Sequence, residues 1–335
     1  MTTIKEVSRR AKVSMATVSR VLNNTVPVAE ETRLRVLEAV EALNYKPNAF
    51  ARGLVTNRSG GIGVVINEIS SPFYSGIVRG IEEVAEAKGL HLLVSSGHAQ
   101  ASLERRAVES LKQRRADALI LQLEALPDDD LVRWAQGDTP VIVVGRLIPE
   151  LAGRCVYLDN VAGGYLATKH LIEHGHRQIA HLAGWLAIKD ARDRLEGYKR
   201  ALDDAGLPFD ERLVIAGNFT EEGGQRGAEE LLARGRPFTA IVASNDQMAA
   251  GALHTFRAHG LRVPEDVSLI GYDDVLFARY LFPALTTIRQ PLAEMGRAAA
   301  RLALAALGAE KPKEVTTRFD PVLVARDSVI STADP

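Results

Sequence analysis

The stretch SMATVSRVLN, residues 14–23, brings together side chains suited to reading DNA base edges. Arg20 can present a bidentate fork to guanine, while Met15 and Ala16 can make apolar contact with a thymine methyl. Thr17, Ser19 and Asn23 suit phosphate oxygens, which fix position without reading sequence. Such chemistry works from a helix seated in the major groove and braced by a second helix. The flanking residues predict that brace. Ile4, Val7 and Ala11 form one apolar stripe at helical spacing, Lys12 to Ser14 make a tight turn, and Ser14 is a natural N-cap for the second helix. Val18, Val21 and Leu22 of that helix face inward. A third helix, within AEETRLRVLEAVEALNY, is expected to close the core with Leu34, Leu37, Val40 and Leu43.

Charge supports the same partner. Residues 1–60 hold ten Lys and Arg against five Glu, a balance of +5, whereas the rest of the 335-residue chain carries 31 against 37, a balance of −6. A basic head on an acidic body is the footprint of a protein that meets phosphates at one end. With 46% hydrophobic residues the chain can bury more than one core. No stretch has the apolar length of a bilayer span and MTTIKEVSRRAK has no secretory h-region, so a cytoplasmic protein is expected. Its single cysteine, Cys155, lies in the apolar run CVYL and is read as a core residue.

From Gly61 onward, short β-branched runs alternate with longer helical patterns, as in parallel sheets with crossover helices. GIGVVIN, HLLVSS, ADALILQL and PVIVVG make a first set of strands, and QIAHLAG, LVIAG, TAIVAS and VSLIGY a second. Two such sets predict two similar α/β subdomains. Ligands of open α/β sheets bind outside the carboxyl ends of the strands, so the cleft between subdomains is the expected site.

The runs TIKEVSRRAKVSMATVSRVLNN and VAEETRLRVLEAVEALNYKPNAFARGL closely resemble the DNA-binding head of the LacI/GalR family of regulators. SNDQMAAGAL, DVSLIGYDD and PALTTIRQP extend the resemblance over nearly the whole chain; RCVYLDN, GHRQIAHL and NDQMAAGAL are most similar to the galactose repressor branch. The resemblance implies a helix-turn-helix head over 1–46, a hinge helix and linker over 47–60, and two Rossmann-like subdomains of the periplasmic-binding-protein type over 61–335. In the hinge it implies DNA contacts by Asn48, Ala51, Arg52 and Leu54, with Leu54 as the minor-groove wedge. The chain is expected to cross between subdomains near 160, 286 and 320. That gives a first subdomain of 61–160 and 287–320 and a second of 161–286 and 321–330.

By position, the resemblance implies that Arg194, Asn245, Asp273 and Gln290 contact the effector, with Arg146 at a further strand end. Phe73 and Phe219 offer flat faces to the apolar side of a sugar ring. Asn245-Asp246 and Asp273-Asp274 are also readable, as the lesser alternative, as helix caps or turns. The implied effector is a mono- or disaccharide such as galactose or a galactoside. The implied partners are a pseudo-palindromic double-stranded operator and a second copy of the chain; a tetramerising tail is not evident after PVLVARDS. Release from the operator on binding sugar is expected, with a ligand- or phosphoprotein-tightened regulator as the alternative.

Other constellations are weaker. His170, His174 and His176 lack a carboxylate or cysteine to complete a metal set, and Gly60, Gly61 and Gly63 precede a strand instead of following one, unlike a dinucleotide loop. No G-x-S-x-G elbow is present, so neither enzyme, cofactor nor metal is expected. A transport binding protein on the same fold would carry a signal peptide and no basic head.

Overall fold

The computed structural model describes residues 2–23, 26–45, 59–309 and 314–332. The chain forms two compact units that divide between Ser59 and Gly60. The hinge residues Asn48, Ala51, Arg52 and Leu54 lie outside the described residues, as does the side chain of Asn23.

The first unit contains three helices: α1 (Ile4–Ala11), α2 (Met15–Asn23) and α3 (Glu30–Ala42). A capping box starts α1: Glu6 accepts from the Thr3 backbone N–H at 2.7 Å. Lys12, in the left-handed region at φ 54°, ends it. Ser14 caps α2 by accepting from the Thr17 N–H at 3.1 Å. The core consists of Val7, Ala11, Val18, Val21, Val36 and Ala39, with Val40 and Leu43 packed against it. One expectation is corrected here. Leu34 and Leu37 are 52% and 41% exposed, because the inward stripe of α3 runs through Val36, Ala39, Val40 and Leu43.

In the second unit, the strands of the first sheet are β1 (Gly61–Ile66), β2 (His91–Ser96), β3 (Ala118–Leu121), β4 (Val141–Val144), β5 (Cys155–Leu158) and β11 (Arg318–Phe319). The second sheet contains β6 (Ile179–Ala183), β7 (Val214–Ala216), β8 (Ala240–Ala243), β9 (Ser268–Asp273), β10 (Thr286–Arg289) and β12 (Val322–Val324). Their spatial orders are β11-β5-β4-β3-β1-β2 and β12-β10-β9-β8-β6-β7. All pairs are parallel except β10 with β12. The central strands β1, β3, β4, β6, β8 and β9 are buried along their whole length, as sheets covered by helices on both faces require.

The expected crossover near 286 is also corrected. Residues 286–289 pair with β9, Ile288 opposite Tyr272, and so stay in the second sheet. The chain returns only afterwards, through the helix Leu292–Ala306, which packs on the helix Pro72–Glu86 of the first half.

The remaining helices that matter to the cleft are Asn160–Glu173, Lys189–Asp204, Glu221–Ala233 and Asp246–Ala258. The first two cross at glycines. A Cβ on Gly164 would collide with the Arg194 carbonyl, and one on Gly197 with that of Val161. This backbone contact holds Arg194 in place. Cys155 is buried beside Ile148. His176 is held between Thr239 Oγ1 and the Ile330 carbonyl. Among the described residues, no group of three or more His, Cys, Asp or Glu is arranged to hold a metal, and no helix is long and apolar enough to cross a membrane.

Candidate functional site

In the head, burying Val18 and Val21 leaves the opposite face of α2 outward. Met15, Ala16 and Arg20 are exposed there, with Met15 at 51% despite its apolar side chain. Thr17 is half-buried and engaged with Ser14 at 2.9 Å; Ser19 is also half-buried. An exposed arginine flanked by small and apolar side chains on the second helix is the arrangement that reads a major groove.

In the body, a cavity of about 620 Å³ opens between the two sheets, within the range of small-ligand sites. It is lined by Phe73, Arg194, Phe219, Asn245, Asp273 and Gln290. Arg146 is not among the lining residues. Its guanidinium donates to the Leu126 carbonyl at 2.8 Å and pairs with Asp128 at 3.2 Å, so the strand end presents Gly145 instead.

Arg194 organises the second-sheet wall. Its Nε donates to Asn160 Oδ1 at 2.8 Å, its Nη1 donates to the Ser244 carbonyl, and Nη1 lies 3.8 Å from Asp273 Oδ1. The guanidinium lies 3.8 Å above the Tyr272 ring and 5.7 Å from that of Phe219, in cation–π range. Tyr272 in turn donates to Asn160 at 3.2 Å. Gln290 Nε2 donates to Asp273 Oδ1 at 2.7 Å. Burial pushes the Asp273 carboxyl up to about 7, against the lowering effects of Arg194 and Gln290.

Asn245 lines the cavity and caps its helix. It accepts from the Met248 N–H at 2.9 Å as the cap of its helix, and donates to the Phe219 carbonyl at 2.9 Å. Phe219 packs over Gly184, where a Cβ would collide with the ring. His98, Ala99, Phe219 and Asp273 all line the cavity with positive φ, between 48° and 106°. Such backbone conformations cost about 1–3 kcal/mol each and concentrate at functional sites.

The first-sheet wall holds residues that the sequence reading missed: Asn67 after β1, and Gln122 and Glu124 after β3. Asp190, in the first turn of its helix, and Trp185 belong to the second-sheet half. Glu124 accepts from Gln122 Nε2, and its carboxyl is pushed up to about 7 by burial first and the Asp190 charge second. Asp190 is likewise raised, chiefly by burial. Their placement just past strand ends was the signal that could have found Asn67, Gln122 and Glu124. Asp190 offered none, because an acid in a first helical turn is explained by the helix dipole.

An outward DNA-reading helix in one unit and a ligand-sized cleft between two parallel sheets in the other define the class of DNA-binding regulators that carry a small-molecule sensor. Residues 3–48 match the model of bacterial regulatory proteins of the lacI family, and residues 168–329 that of the periplasmic binding protein-like domain. The chain is 44% identical over 334 residues to the HTH-type transcriptional regulator GalR of Salmonella typhimurium strain LT2, covering 100% of this chain and 98% of that one. Among solved structures, it is similar to the Lac repressor dimer bound to operator and the anti-inducer ONPF, with a TM-score of 0.86, 30% identity and coverage of 98% and 99%. It also resembles the transcriptional regulator CelR–cellobiose complex, with a TM-score of 0.72, 34% identity and coverage of 98% and 100%. The chain belongs to the LacI/GalR family of transcriptional repressors, which are DNA-binding regulators and not enzymes.

Proposed function

We propose that this repressor acts in the cytoplasm as a homodimer on a pseudo-palindromic operator, and that a small saccharide, galactose or a galactoside, binds in the cleft and releases it. The lining of the cavity carries this reading: carboxylates, amides and the Arg194 guanidinium, among them Asp273, Asn245 and Gln290, stand beside the aromatic side chains of Phe73, Phe219 and Trp185. A pyranose has the complementary surface, with hydroxyls round its edge and an apolar face. The full-length similarity to GalR favours galactose among sugars.

Dimerisation has support in one short segment of the second half. Leu276, Tyr280 and Phe282 are 69%, 74% and 83% exposed, large side chains that association with a second copy would cover. Two heads on one dimer also multiply operator affinity through effective concentration.

An operator mobility shift titrated with mono- and disaccharides tests the effector and its sign. Release by galactose is expected; tightening by sugar would reverse the sign, and no response to any sugar would remove the saccharide. Light scattering of the operator complex should give two protomers per site, and one would reject the dimer. Arg20→Ala should cost about 1–3 kcal/mol at one base pair of each half-site, read by binding to operators varied at that position. An equal loss on every sequence would restrict Arg20 to phosphate.

A further inference from the structure

Beyond the saccharide reading, and resting on it, the cavity has a charge imbalance. Six carboxylates line it, those of Glu68, Glu124, Asp190, Glu221, Glu222 and Asp273, against the guanidinium of Arg194 and the imidazole of His98, which lies 3.1 Å from Glu68. The imbalance is sharpest where the two halves face each other, at Glu124 from the first and Asp190 from the second.

An independent feature marks the same place. Gln122 lines the cavity while only 5% exposed, and its Oε1 has no hydrogen-bond partner. Asn67 Oδ1, also at the lining, is another buried acceptor without a partner. The amide of Gln122 is already turned toward Glu124, so what remains unmet on this wall is acceptor capacity. A native fold leaves few buried acceptors unmatched, and those facing a cavity are satisfied by the water or ligand that enters it. A ligand that takes the place of water here gains by bringing donors to this wall.

The charged groups around the pair offer no seat for an anion. Around Glu124 stand Asp190, Arg146 and Glu104; around Asp190 stand Arg194, Asp193, Lys189 and Arg146. Glu104 accepts from the N–H groups of Glu124, Ala125 and Leu126 at 2.8–3.0 Å. Arg146 is held by Leu126 and Asp128, Lys189 by Asp193, and Arg194 by Asn160 and the Ser244 carbonyl. Each of these cations thus has a protein partner, although the buried Nε of Arg146, in ion-pair range of Asp128, makes no hydrogen bond. Both carboxyls are raised chiefly by burial; the Asp190 charge adds to the rise at Glu124, while Arg194 opposes it at Asp190.

We infer that Glu124 and Asp190 act as a charge filter: they select an uncharged sugar that presents hydroxyl donors to this wall and reject phosphorylated or carboxylated sugars. The two acids approach from opposite halves, so once the pair is ionised, as at pH 8 for Glu124, an anion between them would meet like charge from both sides, while a diol would donate to both.

The test compares D-galactose with D-galacturonate, which differ at one carbon, by calorimetry and operator release at pH 8. Wild type should bind galactose at least a hundredfold more tightly than galacturonate. Glu124→Gln and Asp190→Asn, near-isosteric and each checked by thermal melting, should each narrow that ratio at least tenfold, chiefly by admitting galacturonate. Equal binding of the two sugars to wild type would overturn the filter while leaving the saccharide reading intact. An unchanged ratio in both folded variants would overturn it too. Binding of no sugar, neutral or acidic, would sink the saccharide reading and the filter with it.

Discussion

On the second-sheet wall of the cleft, Arg194 is held by Asn160, the Ser244 carbonyl and the Tyr272 ring, Gln290 grips Asp273, and Asn245 is bonded at both ends of its amide. Across from it, on the first-sheet wall, Gln122 Oε1 and Asn67 Oδ1 are buried without partners, and the Glu124 carboxylate accepts from the Gln122 amide. One wall is preorganised, its polar groups locked by one another before any ligand arrives. The other is left short of donors. A ligand has little to order on the first and can satisfy acceptors on the second, so more of its interaction energy is kept as affinity.

The comparison can be broken most severely at Arg194. Arg194→Ala removes a buried cation and leaves Asp273 and Asn160 without it, so stability should fall by about 3–5 kcal/mol in urea unfolding. Sugar response should disappear. A loss under about 1 kcal/mol would mean that this wall is not locked as described.

Next in size is Glu104, whose carboxylate organises the turn behind the first-sheet wall. Glu104→Gln keeps the volume but turns an amide N–H toward backbone donors, costing about 1–3 kcal/mol. Because this carboxylate fixes the turn that carries Glu124, the variant should also weaken galactose binding. Full sugar affinity in a destabilised protein would separate the turn from the site.

The smallest effect is a pH slope shared by both walls. Glu124 and Asp273 keep their protons in the folded state up to about pH 7, whereas in the unfolded chain they ionise near their ordinary values of 4.5 and 3.8. The folded state therefore holds more protons across that window, and the contribution of these groups to stability falls as pH rises through it. Melting temperatures of Glu124→Gln and Asp273→Asn should gain on wild type between pH 5 and 8. Saturating galactose, by donating to the ionised forms, should shrink the gain. A difference independent of pH would show that neither carboxyl is shifted.

Much of this protein was legible in its residues because the signals were local. The Ser14 cap, the Val7, Ala11, Val18 and Val21 stripes, and the alternation of β-branched runs with helical patterns depend on neighbours a few positions away. Asn245 and Asp273 were readable for the same reason, each lying at or just past the end of a strand. Leu34 and Leu37 were misjudged because α3 offers apolar residues on more than one face, and only packing against α1 and α2 selects Val36 and Ala39. Strand β10 was divided from its sheet because its pairing with β9 is a long-range choice.

The sequence by itself determined a DNA-reading helix and two parallel sheets, since caps, turns and hydrophobic periods are properties of short segments. Tertiary structure alone decided that Arg146 is spent on Leu126 and Asp128, and that Glu124 and Asp190 line one cavity from opposite halves. The physical reason is that a side chain's charge state and partners are set by groups folded against it, and the chain joins those groups only through distant residues.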